Sequence, residues 1–260
     1  PAKISSQNFF DSTPHRKDLP VIYNNYVRLE GEADYDASND SIRALLFPLH
    51  LTAFCLCDAL LYENYYDCEQ IIILSASSKT AIGLAQGLSE ADTMPKVFGF
   101  TSKKNKEFVE SLNCYDEILA YEEIDNLDFS KNSVIVDMAG NPAIMEKLST
   151  LLQDNLKKFL TVGATHWQKI TSTDDVITNV QDSRFEFFFA PGHAQKRSGE
   201  WGAEKFNKIA NEFLKKRSEQ SKSWMNINEI RDFEGLSEIY NDMLTGDVEP
   251  KLGLIINLNK

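Results

Sequence analysis

A chain of 260 residues, 42% hydrophobic and 25% charged, is long and apolar enough for a sizeable core, in one large domain or one domain plus part of another. A net charge of -12 argues against a nucleic-acid or anionic-membrane surface, since both need clustered basic residues. Four scattered cysteines and four histidines without a Cys-x-x-Cys give neither a disulfide framework nor a zinc signature, so no metal is expected and the expected setting is the cytoplasm.

Residues 1 to 44 read as irregular and polar, acidic from Glu30 to Asp40, with a short strand at Val21 to Val27. A mostly buried helix is expected over Phe47 to Tyr62, opened by Pro48, with His50 and Asp58 in packing roles. No apolar run reaches the length that spans a bilayer. The stretch from Gln70 to Gly83 then organises the rest. Ile71 to Leu74 are four consecutive branched aliphatics, which suits a strand covered on both faces, and they run through Ser75 to Ser78 into a helical pattern at Ala81, Leu84, Ala85 and Leu88.

Further strands are expected at Lys96 to Phe100, Glu117 to Ala120, Val134 to Asp137, Phe159 to Val162 and Phe185 to Phe189. Helices are expected at Lys106 to Leu112 and after Pro142. This alternation predicts an α/β fold with a doubly wound parallel sheet. The last part differs: a charged amphipathic helix from Ala203 to Arg217, a helix at Phe233 to Leu244 and a closing strand at Gly253 to Leu258.

In such sheets ligands lie beyond the carboxyl ends of the strands. The first turn is the usual place of a dinucleotide pyrophosphate, on free amides at a helix N-terminus. Here the G-x-G-x-x-G is reduced to Gly83. Hydroxyls of Ser77, Ser78 and Thr80 could donate instead, with Lys79 adding charge; a Ser-rich helix cap is an equal reading of the same residues. A P-loop is rejected, because Ser78 and Ile73 occupy its glycine positions.

At the end of the second strand an NAD site usually holds an acidic residue for the ribose 2′-hydroxyl. This chain has Thr101, Ser102 and Lys103, followed by Lys104 and Asn105, which points to a 2′-phosphate and so to NADP(H) if a dinucleotide binds. A solvated Lys-Lys pair is the plain alternative. Asp137 closes a buried strand before Met138, Ala139 and Gly140, and either caps that turn or touches a ribose. Gly163, Ala164, Thr165, His166 and Trp167 end the fifth strand, making His166 the best general-acid candidate, against a packing role beside Trp167. Beyond the sixth strand, Lys196 and Arg197 follow Phe189 to His193, either reaching an anionic ligand or solvated.

An apolar helix with Pro48-Leu49 and Thr52-Ala53, the strand-turn-helix, the Thr101-to-Asn105 loop, VIVDMAG at 134–140 and VGATHW at 162–167 together resemble the medium-chain dehydrogenase/reductase superfamily. SSKTAIGLA, FGFTSKKN, FVESLNCYDEI, VDMAG, VGATHW and FFAPGHAQKRSGEWG resemble one family of it in particular. The chain resembles the superfamily's quinone-oxidoreductase branch over essentially all 260 residues, and more specifically a family within it known as a domain of unknown function. The resemblance implies a Rossmann domain at 45–194 carrying NADP(H) at Ser77, Lys79, Thr80, Ser102, Lys103 and Asn105, with the nicotinamide near Gly163 to His166. On this resemblance residues 1–44 and 195–260 would be remnants of a GroES-like substrate domain, most of which is expected to be missing.

It further implies reduction of a carbonyl or activated alkene in a small-molecule substrate, with Thr165, His166 and Lys196 near the transferred hydride and no zinc. The superfamily also implies a homodimer through an edge strand, here Phe185 to Phe189; internal packing of those phenylalanines in a monomer is the alternative. The altered glycine turn favours a competing reading, a non-catalytic dinucleotide-binding or protein-interaction module. A methyltransferase-like transferase has less support, since no glycine-rich loop with a following acidic residue is present.

Overall fold

A computed structural model describes residues 2–32, 35–91, 94–162, 182–246 and 248–257. Six parallel strands form the central sheet: β4 (Gln70–Leu74), β5 (Lys96–Thr101), β6 (Glu117–Ala120), β7 (Ser133–Asp137), β8 (Leu156–Thr161) and β9 (Phe185–Phe187), in the order β6-β5-β4-β7-β8-β9. The chain thus starts in the middle, winds to one edge, returns and winds to the other. The switch point between β4 and β7 leaves a crevice at their carboxyl ends, where open α/β sheets take ligands. Every residue of β4 and β7 is buried, which accounts for their unalternating apolar sequences.

Two cores flank the sheet. On one face, Ile71, Ile73, Val134 and Val136 pack with α1 (Asp40–Tyr62), α2 (Lys79–Leu88), α5 (Ala190–Trp201) and α6 (Ala203–Ser221). On the other, Ile72, Leu74 and Ile135 pack with α4 (Pro142–Leu152) and Ile124 and Leu127. The short α3 (Lys106–Ser111) follows β5.

Phe206 and Ala210 of α6 share the first core with Ile71 and Val134. That core therefore includes residues past 194. The helix α6 packs on α1 and α5.

Three helical and strand expectations are corrected. The helix α1 begins at Asp40, not at Pro48, because Ile42 and Leu46 continue its apolar stripe onto Met225; Pro48 lies inside it. The helix α5 was not expected, since Pro191, Gly192 and Gly199 obscure its periodicity. A strand β10 (Asn226–Ile230), hidden in the polar sequence NINEI, pairs in parallel with β11 (Leu252–Ile256), and α7 (Phe233–Thr245) crosses between them.

By length and composition α1 could cross a membrane, with a mean hydropathy of 1.9 over its most apolar stretch. Leu46, Ala53, Cys55, Leu56 and Leu60 are nevertheless fully buried, and the helix packs as a core element against α2, α5 and α6. Gly83 and Gly87 give α2 its close seat. A Cβ on Gly83 would meet Ala53 Cβ and His50 Cδ2 at 3.2 Å, and one on Gly87 would meet Cys57 Sγ at 2.6 Å. Gly83 therefore admits α1.

Before α1, β1 (Ala2–Ile4), β2 (Asn8–Asp11) and β3 (Asn25–Val27) form a small antiparallel sheet, with a 3-10 turn at Val21–Tyr23 where the strand had been expected to begin.

Candidate functional site

The turn after β4 is built without a glycine. Its first residue, Ser75, takes φ 56°, in the left-handed region that costs a side-chain-bearing residue about 1–2 kcal/mol. Neighbouring groups hold it there. The Ser75 amide donates to Tyr121 Oη at 2.8 Å, and the Ser75 and Tyr121 hydroxyls lie 3.3 Å apart. The Ala76 amide donates to Phe100 O, and Tyr115 Oη donates to Ala76 O at 2.9 Å.

Gly99 makes the Tyr115 contact possible. A Cβ there would come within 2.9 Å of the Tyr115 ring and 3.0 Å of Ala76 Cβ.

Past this support the turn opens into α2. Ser78 caps the helix, its Oγ accepting from the Ala81 amide at 3.3 Å. Ser77 Oγ accepts from Thr101 Oγ1 and Asn105 Nδ2, both at 3.3 Å, which ties the first turn to the second strand's loop. The amides of Ser77, Lys79 and Thr80 make no hydrogen bond to another described residue. Such amides, at the positive end of the helix dipole, suit an anion.

The Lys79 side chain turns elsewhere: Nζ donates to Pro250 O at 3.0 Å, and burial lowers its pKa. Lys104 Nζ likewise donates to Gly246 O at 2.9 Å. Both lysines thus anchor the chain between α7 and β11. A cavity of about 880 Å³ opens beside this anchor, lined by Gln86, Asn105, Phe108, Trp224 and Pro250 among others.

At the end of β5, Thr101 is buried and no carboxylate follows it. Ser102 Oγ is buried without a partner, and Lys103 is exposed without an ion-pair partner among the described residues. Buried polar atoms are nearly always satisfied, so an orphaned hydroxyl next to an exposed lysine that makes no direct ion pair fits an anionic group such as a 2′-phosphate. Lys106, four residues after Ser102, is neutralised by Glu123 at 2.6 Å.

Asp137 is 1% exposed, and its Oδ1 accepts from the amides of Ala139 and Gly140 at 2.8 and 3.1 Å. Of the two roles open to it, the structure shows the cap. Gly140 takes φ 67°, which lets the turn close so tightly. Gly163, Ala164, Thr165, His166 and Trp167 lie outside the described residues.

Lys196 is not in the crevice. Its Nζ lies 4.3 Å from the centre of the Tyr62 ring, on the last residue of α1 and ahead of the start of β4. The reason is the packing of α5 on α1. His193 Nε2 is 2.6 Å from Asp58 Oδ2, Arg197 Nε donates to the same oxygen at 2.7 Å, and Arg197 also pairs with Glu200. The Arg197 guanidinium sits between the Tyr62 and Trp201 rings, at 4.8 and 4.1 Å. Burial would raise the Asp58 pKa, but the hydrogen bonds from His193 and Arg197 and the guanidinium charge bring it below the usual value.

Sequence reasoning missed Tyr115 and Tyr121. The only available signal was an aromatic residue just past a strand end, in ILAY.

A family model described as "Protein of unknown function (DUF2855)" matches residues 1–249. The chain belongs to that family. No curated protein matches DUF2855's present member by sequence. Among solved structures, this DUF2855 chain superposes on the yhdH oxidoreductase from Salmonella enterica in complex with NADP, with a TM-score of 0.52 and 14% identity over 80% of this chain and 61% of that one. It also superposes on CurA from Vibrio vulnificus in complex with NADPH, with a TM-score of 0.54 and 12% identity over 99% of this chain and 76% of that one. A third match is the CurK enoyl reductase, at a TM-score of 0.53 and 13% identity over 91% of this chain and 67% of that one. The chain thus spans about 61% of the first of these proteins. Likeness at such identities establishes the shared fold.

Proposed function

We propose that this DUF2855 protein is an NADP(H)-dependent oxidoreductase of the zinc-free medium-chain type, reducing a carbonyl or an activated alkene in a small-molecule substrate. The observation that carries this reading is the end of β5: a buried, unpartnered Ser102 hydroxyl followed by an exposed Lys103 with no direct ion pair, and no acid to take a ribose 2′-hydroxyl. The NADP and NADPH bound to yhdH and CurA support it by analogy of fold.

In this reading Ser102, Lys103 and Asn105 hold the 2′-phosphate. The free amides of Ser77, Lys79 and Thr80, with the Ser78 cap, receive the pyrophosphate. Asp137 and Gly140 shape the wall at the switch point, and Gly163 to His166 serve the nicotinamide end, with Thr165 and His166 beside the substrate. A bound nicotinamide supplies the hydride; the chain's contribution is orientation and the binding of phosphate charge. Lys196 has no part in it.

We further place the protein in the cytoplasm and pair it as a homodimer through β9. That strand is at the sheet edge, with Phe187 in it and Phe189 just past it each 46% exposed. Residues 1–44 and the β10-α7-β11 unit are assigned to a GroES-like substrate domain.

One observation favours a second reading, a dinucleotide-binding or interaction module without catalysis: Lys79 and Lys104 are held by backbone carbonyls of the C-terminal part. Calorimetric titration with NADPH and NADH tests both. NADPH should bind much more tightly than NADH, and Lys103→Ala should weaken NADPH about tenfold, the scale of one charge-assisted hydrogen bond. No binding of either nucleotide would remove the oxidoreductase reading.

A further inference from the structure

Dinucleotide turns ordinarily rely on glycine where the backbone must enter the left-handed region. This turn puts Ser75 there, at φ 56°, and surrounds it with side-chain supports from outside the β4-α2 unit. The closest is Tyr121, the first residue past β6, which is two strands away from β4. Its ring lies 6.3 Å from the Phe100 ring, and its hydroxyl reaches over the end of β5 to the Ser75 amide at 2.8 Å and to within 3.3 Å of the Ser75 hydroxyl.

No other described group bonds the Ser75 amide. Tyr115 acts one residue later, donating to Ala76 O through the window left by Gly99. The amides left open lie immediately beyond, at Ser77, Lys79 and Thr80. Their direction is therefore set by how the chain leaves Ser75 and Ala76.

We infer that Tyr121 is a positioning residue for the cofactor: its hydroxyl holds Ser75 left-handed and so presents the amides of Ser77, Lys79 and Thr80 to a phosphate. Tyr121 here does the work that a glycine does in other dinucleotide turns. The inference rests on the proposed binding of NADP(H) at this turn, but the conformational part of it holds in the unliganded protein. The two can be tested apart.

Tyr121→Phe keeps the ring and removes the hydroxyl. In the protein without nucleotide, hydrogen exchange at the Ser75 amide should then speed up at least about tenfold, since exposure of that one amide no longer requires breaking its bond. NADPH affinity should fall about tenfold, the scale of an unsupported left-handed residue. The decisive variant is the double mutant. Glycine adopts positive φ without strain, so adding Ser75→Gly to Tyr121→Phe should recover most of the lost affinity. Ser75→Gly alone should leave NADPH affinity equal or slightly higher.

A merely structural tyrosine would not be rescued by a glycine on another strand's turn. Unchanged Ser75 exchange in Tyr121→Phe would overturn the inference even if NADPH binding itself failed. A loss of affinity that Ser75→Gly does not restore would also overturn it, while leaving the cofactor reading intact. Wild-type protein that binds no NADPH, with faster Ser75 exchange in Tyr121→Phe, would overturn the cofactor role and with it the inference as stated.

Discussion

Between α1 and α5, Asp58, His193, Arg197 and Glu200 satisfy one another, whereas at the carboxyl ends of β4 and β5 several polar groups are left over. Both regions carry residue types that suit catalysis or anion binding. The difference is one of completeness. In the first, each charge has an opposite charge, and aromatic faces from Tyr62 and Trp201 cover the guanidinium. In the second, the Ser102 hydroxyl and three backbone amides have no hydrogen-bond partner among the described residues, and the Lys103 ammonium makes no direct ion pair there. A polar group that its own fold has satisfied holds the fold; one left unsatisfied at a strand end is available to a ligand.

Breaking the closed cluster should have the largest effect. Asp58→Ala leaves the partly buried His193 and Arg197 without their common carboxylate, and should cost about 3 kcal/mol of stability in a urea melt, the low end for a buried pair. If the comparison is right, NADPH affinity of the folded fraction stays unchanged. The Asp58 pKa is depressed in the folded protein, so its contribution is present above the unfolded carboxylate value and is lost as pH falls through the lower folded value.

Next comes the pH dependence of His50, which burial and the charge of Arg217 lower from 6.5 to about 4. The unfolded chain takes up this proton first, so stability should fall as pH drops from 6.5 to about 4, by up to about 3 kcal/mol, and level off below. Melts in His50→Leu should lack this component. An unchanged pH profile would show that the buried imidazole is charged after all.

The smallest effect is expected for Lys196→Ala. The lysine contributes a cation–π contact with a half-exposed Tyr62, so the loss should stay within about 1 kcal/mol, with no change in NADPH affinity. A large loss of affinity would return Lys196 to the site and undo the contrast between the two regions.

The sheet was legible in the sequence because burial on both faces leaves nothing to alternate: Ile71 to Leu74 and Val134 to Val136 could hardly be anything else. Its edge strand and most helices followed from the same patterns. The helix α5 escaped because Pro191, Gly192 and Gly199 break its apolar period, and β10 because four of its five residues are exposed. Pro48 misplaced the start of α1, since a proline in a first turn and one within a long buried helix look alike without the preceding packing of Ile42 and Leu46.

At the site, the serine and lysines of the loop from Thr101 to Asn105, and its lack of an acid, are plain in the sequence itself. The turn after β4 was legible only as a departure from the glycine pattern. What replaces the glycines comes from Tyr115 and Tyr121, about 40 to 46 residues along the chain, and periodicity carries no information about such a reach. Lys196 was misjudged for a related reason: it follows a strand end in sequence, but α5 carries it back along the sheet to Tyr62.

The most direct test of the central claim is phosphorus NMR of NADPH on titration with the protein, following the 2′-phosphate resonance against pH. Held by Ser102 and Lys103, the bound 2′-phosphate should titrate below its free second pKa of about 6, because the adjacent cation favours the dianion, and Lys103→Ala should move it back toward the free value. A bound NADPH whose 2′-phosphate titrates as in free solution would contradict the account, since the open end of β5 would then hold no phosphate.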